Sequence, residues 1–186
     1  LHPAKALGID LSQHPELEGL LAEAFYSIAA KDWITAAKSF QNLITSKPND
    51  TNLFNNYGLS ILQRALEMSR SQNPEIVSQS ETQFRSAILA LREAAKSQPD
   101  NPTILLNLSH ALLASGRTDK ALQIIKVHNS TNNSYEGRNL EAAALAALGQ
   151  GASSKQMLQA LLNEQQQSPN NHLVDEIITS NLEKFM

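Results

Sequence analysis

The chain has 186 residues, 41% hydrophobic but only 5% aromatic, with a net charge of −3 and no cysteine. That length supports one packed domain, and an apolar set led by alanine and leucine favours close helix packing over a bulky sheet core. The composition excludes disulfides, thiolate catalysis and cysteine-ligated zinc, and its charge gives no basis for nucleic-acid or anionic-membrane binding. No apolar run reaches the roughly 18 residues of a transmembrane helix.

Residues 1–14 carry Pro3, Gly8 and His14-Pro15 with little periodicity, and are expected to form an irregular lead-in draped over the first helix. Pro15 suits a first helical turn, with Glu16 and Glu18 at its positive end. Leu17, Leu20, Leu21, Ala24, Phe25 and Ile28 follow at helical spacing. After a turn at Lys31-Asp32, a second helix is expected from Trp33 to Ser46, stopped before Pro48. A third starts near Asp50 or Thr51 and runs past Leu66. Pro74 opens a fourth that reaches Ser97, ahead of Pro99.

Pro102 opens a helix to Ser115, and Gly116-Arg117 turns it. Thr118 is expected to cap a helix to about Val127, with residues 128–134 a polar connector. Tyr135 to Leu148 reads as the next helix, broken by Gly149-Gln150-Gly151. Ser153 or Ser154 is expected to cap a helix to about Gln167. A last amphipathic helix over 171–185 carries Leu173, Val174, Ile177, Ile178, Leu182 and Phe185. The count is about nine helices and no convincing strand.

One pattern recurs along these helices. Ala36 and Phe40 precede Pro48, Ala87 and Leu91 precede Pro99, and Ala121 precedes Ile125. Ala36 to Ala87 spans 51 residues, as does Pro48 to Pro99, and Ala87 to Ala121 spans 34. A period near 34 indicates stacked helix pairs. Small residues (Ala36, Ala87, Ala121, Gly58, Ser109) let paired helices approach, and large residues four positions on fill the next groove. The extra residues of the second unit, about 17, are expected to lengthen both arms of one hairpin.

On these residues, with Phe54-x2-Tyr57-Gly58-x2-Ile61 and Leu105-x2-Leu108-Ser109-x2-Leu112, the chain resembles the tetratricopeptide repeat family over roughly residues 17–170. It departs from that pattern at Glu23 and Ser27, and in the second-unit insertion. The resemblance implies an all-α, right-handed α-solenoid of about four tetratricopeptide-like hairpins, one with extended helices. The units fall at about 15–48, 50–99, 102–132 and 135–169, within an array over 15–170. The helix of residues 171–186 caps its exposed end.

The resemblance further implies a concave groove lined by the first helix of each pair. Asn56, Asn107 and Asn139 each precede a large apolar residue, at spacings of 51 and 32. An asparagine there, as in the family, would clamp a peptide backbone through an amide that both donates and accepts. The alternative is solvated surface asparagine. Asn52, Asn55, Leu59, Leu62, Gln63, Thr103, Leu106, His110 and Leu113 are expected to share that face. With few lysines or arginines there, a carboxylate clamp is not expected.

The extension carries Arg64, Glu67, Arg70, Glu75, Glu81 and Arg85, read as a solvated face or as a self-association contact. Trp33 is expected to pack. The five histidines lack metal-ligand spacing, and the adjacent Ser109 and His110 diverge on a helix and cannot pair as nucleophile and base. No catalytic residue, metal or cofactor is expected.

The function expected is a non-enzymatic scaffold binding a peptide segment of another protein, as bacterial relatives of this size do in pilus, secretion or envelope assembly. A structural subunit self-associating through hairpin 59–97 is the alternative. The start at Leu1 rather than methionine is expected of a processed piece, and leaves periplasmic, envelope-associated and cytoplasmic settings open.

Overall fold

The chain, seen in a computed structural model, is described here over residues 5–166. These form eight α-helices and no strand. A 3-10 turn at Pro15–Leu17 leads into α1 (Glu18–Ala29), α2 (Trp33–Ser46), α3 (Thr51–Ser69) and α4 (Pro74–Ser97). Then come α5 (Pro102–Ala114), α6 (Thr118–Thr131), α7 (Tyr135–Ala147) and α8 (Gly151–Gln166). The helix expected over 171–185 lies outside the described residues.

Local chemistry sets the helix starts. The Asp32, Asp50, Asn73, Asn101 and Ser134 side chains each accept a main-chain N–H of the helix they precede, satisfying donors with no partner inside it. Within three of the four pairs one turn is repeated. Lys31, Gly116 and Gly149 adopt φ of 58°, 77° and 77°. The next residue's N–H bonds back to Ser27, Leu112 and Leu145, at 2.8, 2.8 and 2.9 Å. This left-handed C-terminal motif satisfies the last carbonyls of each first helix and reverses the chain. The second pair lacks it. There α3 and α4, of 19 and 24 residues, flank a turn at 70–73, as the inserted length requires.

Three features differ from expectation. Thr118 does not cap α6, because Arg117 holds the cap position without a side-chain bond. Helix α8 begins at Gly151, and the Ser154 hydroxyl is buried, donating to the Ala142 carbonyl at 2.7 Å. The connector expected at 128–134 is helical through Thr131. His128 pins it there, its ring 3.1 Å from the Pro102 carbonyl and 3.0 Å from the Ser134 hydroxyl.

Apolar burial runs in series along the chain rather than around one centre. Leu11 of the lead-in, Ala24, Phe40 and Leu43 of the first unit and Leu53 of the second pack together. Leu62, Phe84, Leu91, Leu108 and Leu112 join the second to the third. Leu106, Ile125 and Leu140 join the third to the fourth, and Ala142, Leu158 and Leu161 close α7 on α8. Phe25 and Phe40 meet edge to face, with centroids 5.7 Å apart. The polar departure at Glu23 is explained by the Ser39 hydroxyl, which donates to its carboxylate at 2.7 Å.

Each helix packs on the next in sequence, and α3 also touches α5, which touches α7. Among the described residues α2 and α4, and α4 and α6, touch at most weakly. From α3 to α7 the first helices therefore sit closer together than the second ones and form the inner layer of a curved stack.

Candidate functional site

The inner layer carries Asn55 and Asn56 on α3, Asn107 on α5 and Asn139 on α7, all fully buried. What covers the first three is residues 5–11 of the same chain. The lead-in meets α1 only at its end, where Ile9 and Leu11 join the cluster that contains Ala24. It runs extended across α5 and then α3, opposite to the order of the array, and reaches the first-unit core at Leu11. Leu7 and Ile9 are half-buried and Leu11 is buried, while Ala6, Gly8 and Asp10 face out. That is the two-residue alternation of an extended strand.

Two asparagines each grip one residue by both main-chain groups. Lys5 N–H donates to Asn107 Oδ1 at 2.8 Å, and Asn107 Nδ2 donates to the Lys5 carbonyl at 2.7 Å. Leu7 N–H donates to Asn56 Oδ1 at 2.7 Å, and Asn56 Nδ2 donates to the Leu7 carbonyl at 2.7 Å. In an extended chain a residue's own N–H and C=O point the same way, and residues two apart repeat that direction about every 7 Å. The clamps match this geometry at Lys5 and Leu7 and skip Ala6.

The amides also orient one another. Asn107 Nδ2 donates to Asn55 Oδ1 at 2.8 Å, and Asn55 Nδ2 donates to Asn56 Oδ1 at 3.1 Å. Asn55 Nδ2 also reaches the Lys5 carbonyl at 3.1 Å, and Asn52 Nδ2 reaches the Gly8 carbonyl at 2.8 Å. This linked set fixes which end of each amide donates. At the edge, Lys5 Nζ pairs with Glu136 of α7 at 2.7 Å. Beside Ala6 a cleft of about 410 Å³ opens between Leu59, Gln63, Leu66, Glu67 and Trp33. The Trp33 ring N–H donates to Glu67 at 2.7 Å, so this half-buried indole is held at the mouth of the cleft.

Of the expected groove residues, the structure brings Asn52, Asn55, Asn56 and Asn107 together on the segment, with Leu59 and Gln63 in the adjoining cleft. Others go elsewhere. Leu106 packs with Ile125 and Leu140 between units, and Leu62 packs with Phe84 and Leu91 inside the second pair. They take the core side of their helices because those helices are buried on more than one face. Thr103 lies in the first turn of α5, its N–H taken by Asn101. His110 is buried on α5, and Asn139 is buried one unit beyond the segment.

Sequence reasoning missed Lys5, Leu7 and Glu136. The signal was present in Leu7-Gly8-Ile9-Asp10-Leu11, a strict apolar alternation hidden by the nearby proline and glycine. Among the described residues there is no cluster of three metal-ligating side chains, and no helix is long and apolar enough to cross a membrane.

Comparison with known proteins agrees with this architecture. Residues 79–135, covering much of α4, all of α5 and α6, match the tetratricopeptide repeat family. No curated protein matches the chain significantly. Among solved structures, a thermophilic tetratricopeptide repeat protein of Thermus thermophilus is similar at a TM-score of 0.71 and 16% identity. The match covers 93% of this chain and 85% of that one.

Proposed function

We propose that this chain, whose residues 79–135 match the tetratricopeptide repeat family and whose fold is that of such a protein, is a non-catalytic scaffold whose inner face holds an extended segment of a partner protein. Repeats of this family bind other proteins. The observation that carries the reading here is the double grip on Lys5 and Leu7, in which amides from successive units take both main-chain groups of alternate residues. Main-chain groups are common to every sequence, so such a clamp gives affinity without demanding side chains. Specificity is left to flanking pockets and charges.

The test uses the full chain carrying Leu7→Pro, which removes the N–H given to Asn56 and loosens the chain's own segment. A fluorescent peptide of residues 4–13 should bind it. Adding Asn56→Ala and Asn107→Ala should weaken binding by about tenfold or more, since each lost amide pair is worth about 1 kcal/mol or more net. Equal binding would remove the asparagines from the site.

At a finer level the scaffold is read as a bacterial assembly factor for a pilus, secretion or envelope complex, in keeping with its asparagine-, glutamine- and serine-rich composition. A photo-crosslinking residue at Gln63, bordering the cleft, should capture a component of such a complex in cells. Capture confined to unrelated proteins would refute it.

A second reading, self-association through hairpin 59–97, draws on the outer face of α4, where Leu89 is 66% exposed and Ile76 and Val77 are each 37% exposed. Light scattering decides it: a mass independent of concentration removes this reading.

A further inference from the structure

We propose that residues 5–11 are a resident competitor for the groove. They close it in cis, and a partner enters by displacing them with a segment of the same chemistry. That segment is extended, with a cation followed at two-residue steps by large apolar side chains. The inference rests on the groove reading above and adds its regulation and its recognition rule.

Three observations carry it. The first is that nothing in the clamps requires the bound residues to belong to the same chain. Lys5 and Leu7 offer only main-chain N–H and C=O to Asn107 and Asn56, which any non-proline residue can offer. The second is how the segment is attached. No main-chain to main-chain bond ties residues 5–10 to a helix among the described residues. The first such bond near it is His14 N–H to the Leu11 carbonyl, within the lead-in itself. Release therefore breaks no helix. It exposes buried asparagines that a partner's main chain would satisfy again, so one occupant exchanges for another of the same kind.

The third is the pattern of side chains. Lys5 Nζ meets Glu136, whose side chain is 23% exposed, while Leu7, Ile9 and Leu11 turn inward. Leu11 reaches the core formed by Phe40, Leu43 and Leu53. An incoming segment repeating this order of cation and alternating apolar residues would meet the same complementary surfaces.

Amide hydrogen exchange by NMR on the unaltered full chain, isotopically labelled, tests the occupancy. The Lys5 and Leu7 amides should exchange at least about tenfold more slowly than those of Ala6 and Gly8. Asn107→Ala should release Lys5, and Asn56→Ala should release Leu7. Unlabelled peptide of residues 4–13, added in excess, should erase both protections as it takes the groove. The peptide with its lysine replaced by glutamate should bind the Leu7→Pro chain about three- to tenfold more weakly, as expected for replacing an ion pair with like charges, and Glu136→Lys should restore it.

Uniform exchange across residues 5–8 would overturn the occupancy while leaving the groove reading intact, provided the Leu7→Pro chain binds peptide. Amides that stay protected under saturating peptide would overturn displacement. A Leu7→Pro chain that is folded by circular dichroism yet binds no peptide would bring down the groove reading and this inference with it.

Discussion

At Gly58, where α3 crosses α4, an added Cβ would stand 2.7 Å from Leu91 Cγ and 3.3 Å from the Ala87 carbonyl oxygen. Leu91 is fully buried and cannot swing aside. Alanine would gain up to about 1 kcal/mol of helix propensity, but overpacking a tight crossing costs about 1–3 kcal/mol. Gly58→Ala should therefore lower stability by roughly 1 kcal/mol, seen as a lower urea midpoint at unchanged slope. A higher midpoint would mean the crossing has slack. The small residue at this place was legible in the sequence because its period matches that of Ala87. The same period exposed Asn56 and Asn107. Their burial was not legible, since it depends on Lys5, whose bond to Asn107 spans 102 positions in the chain.

His128 gives the chain a pH dependence. Burial is the main influence holding its pKa below the ordinary 6.5, opposed by its bond to the Pro102 carbonyl and by Glu136, and reinforced by Lys5. Because the carbonyl can only accept, Nδ1 carries the proton, and Nε2 accepts from Ser134. The folded state binds a proton less readily than the unfolded one. Stability contributed here is thus full above the unfolded pKa and declines as pH falls below about 6.5 towards the folded value. The urea midpoint should fall over that range, and His128→Gln should flatten the fall. An unchanged slope in the variant would assign the acid sensitivity elsewhere.

Among the helices, the second pair differs most from its neighbours. Its inserted residues kept a helical rhythm, so the long hairpin was readable in advance. Its distal part is solvated, with Arg85 and Glu81 paired at 2.7 Å one turn apart, and such exposed pairs contribute little. Leu89→Glu should accordingly change stability by less than about 0.5 kcal/mol. A larger loss in thermal denaturation would show that this face is covered. The end of α6 was illegible for the opposite reason. A polar run ordinarily signals a loop, whereas here His128 is buried with bonds to the Pro102 carbonyl and Ser134, and Asn129 donates to Glu141 of α7. At Gly137 the packing is equally close: a Cβ there would overlap the Asn129 amide and the His128 ring. Gly137→Ala should thus displace His128 and mimic its loss in the pH profile.

Over the whole molecule, small residues at a repeated interval bring helices into pairs, and closer contact among the first helices turns a row of pairs into a curved rack. The inner curve presents linked asparagine amides. Six hydrogen bonds between them and the lead-in, four donated by the amides and two accepted, hold it. At about 1 kcal/mol net apiece they are comparable with the cost of about 1–2 kcal/mol for ordering each residue's backbone. Such a balance suits an occupant that can be exchanged. The alternation of Leu7, Ile9 and Leu11 went unread within an irregular lead-in, because an isolated strand finds no sheet in an all-helical chain. Its place could be seen only once the amides were assembled in space.

Recognition through the main chain is tested most directly by changing the main chain alone. The Leu7→Pro protein should be titrated with the peptide of residues 4–13 carrying an N-methyl group either on the residue matching Leu7 or on the one matching Ala6. Methylation at the Leu7 position should cost about tenfold or more in affinity, while methylation at the Ala6 position should leave it nearly unchanged. Equal losses at the two positions, or none at either, would contradict a clamp built on Asn56 and Asn107.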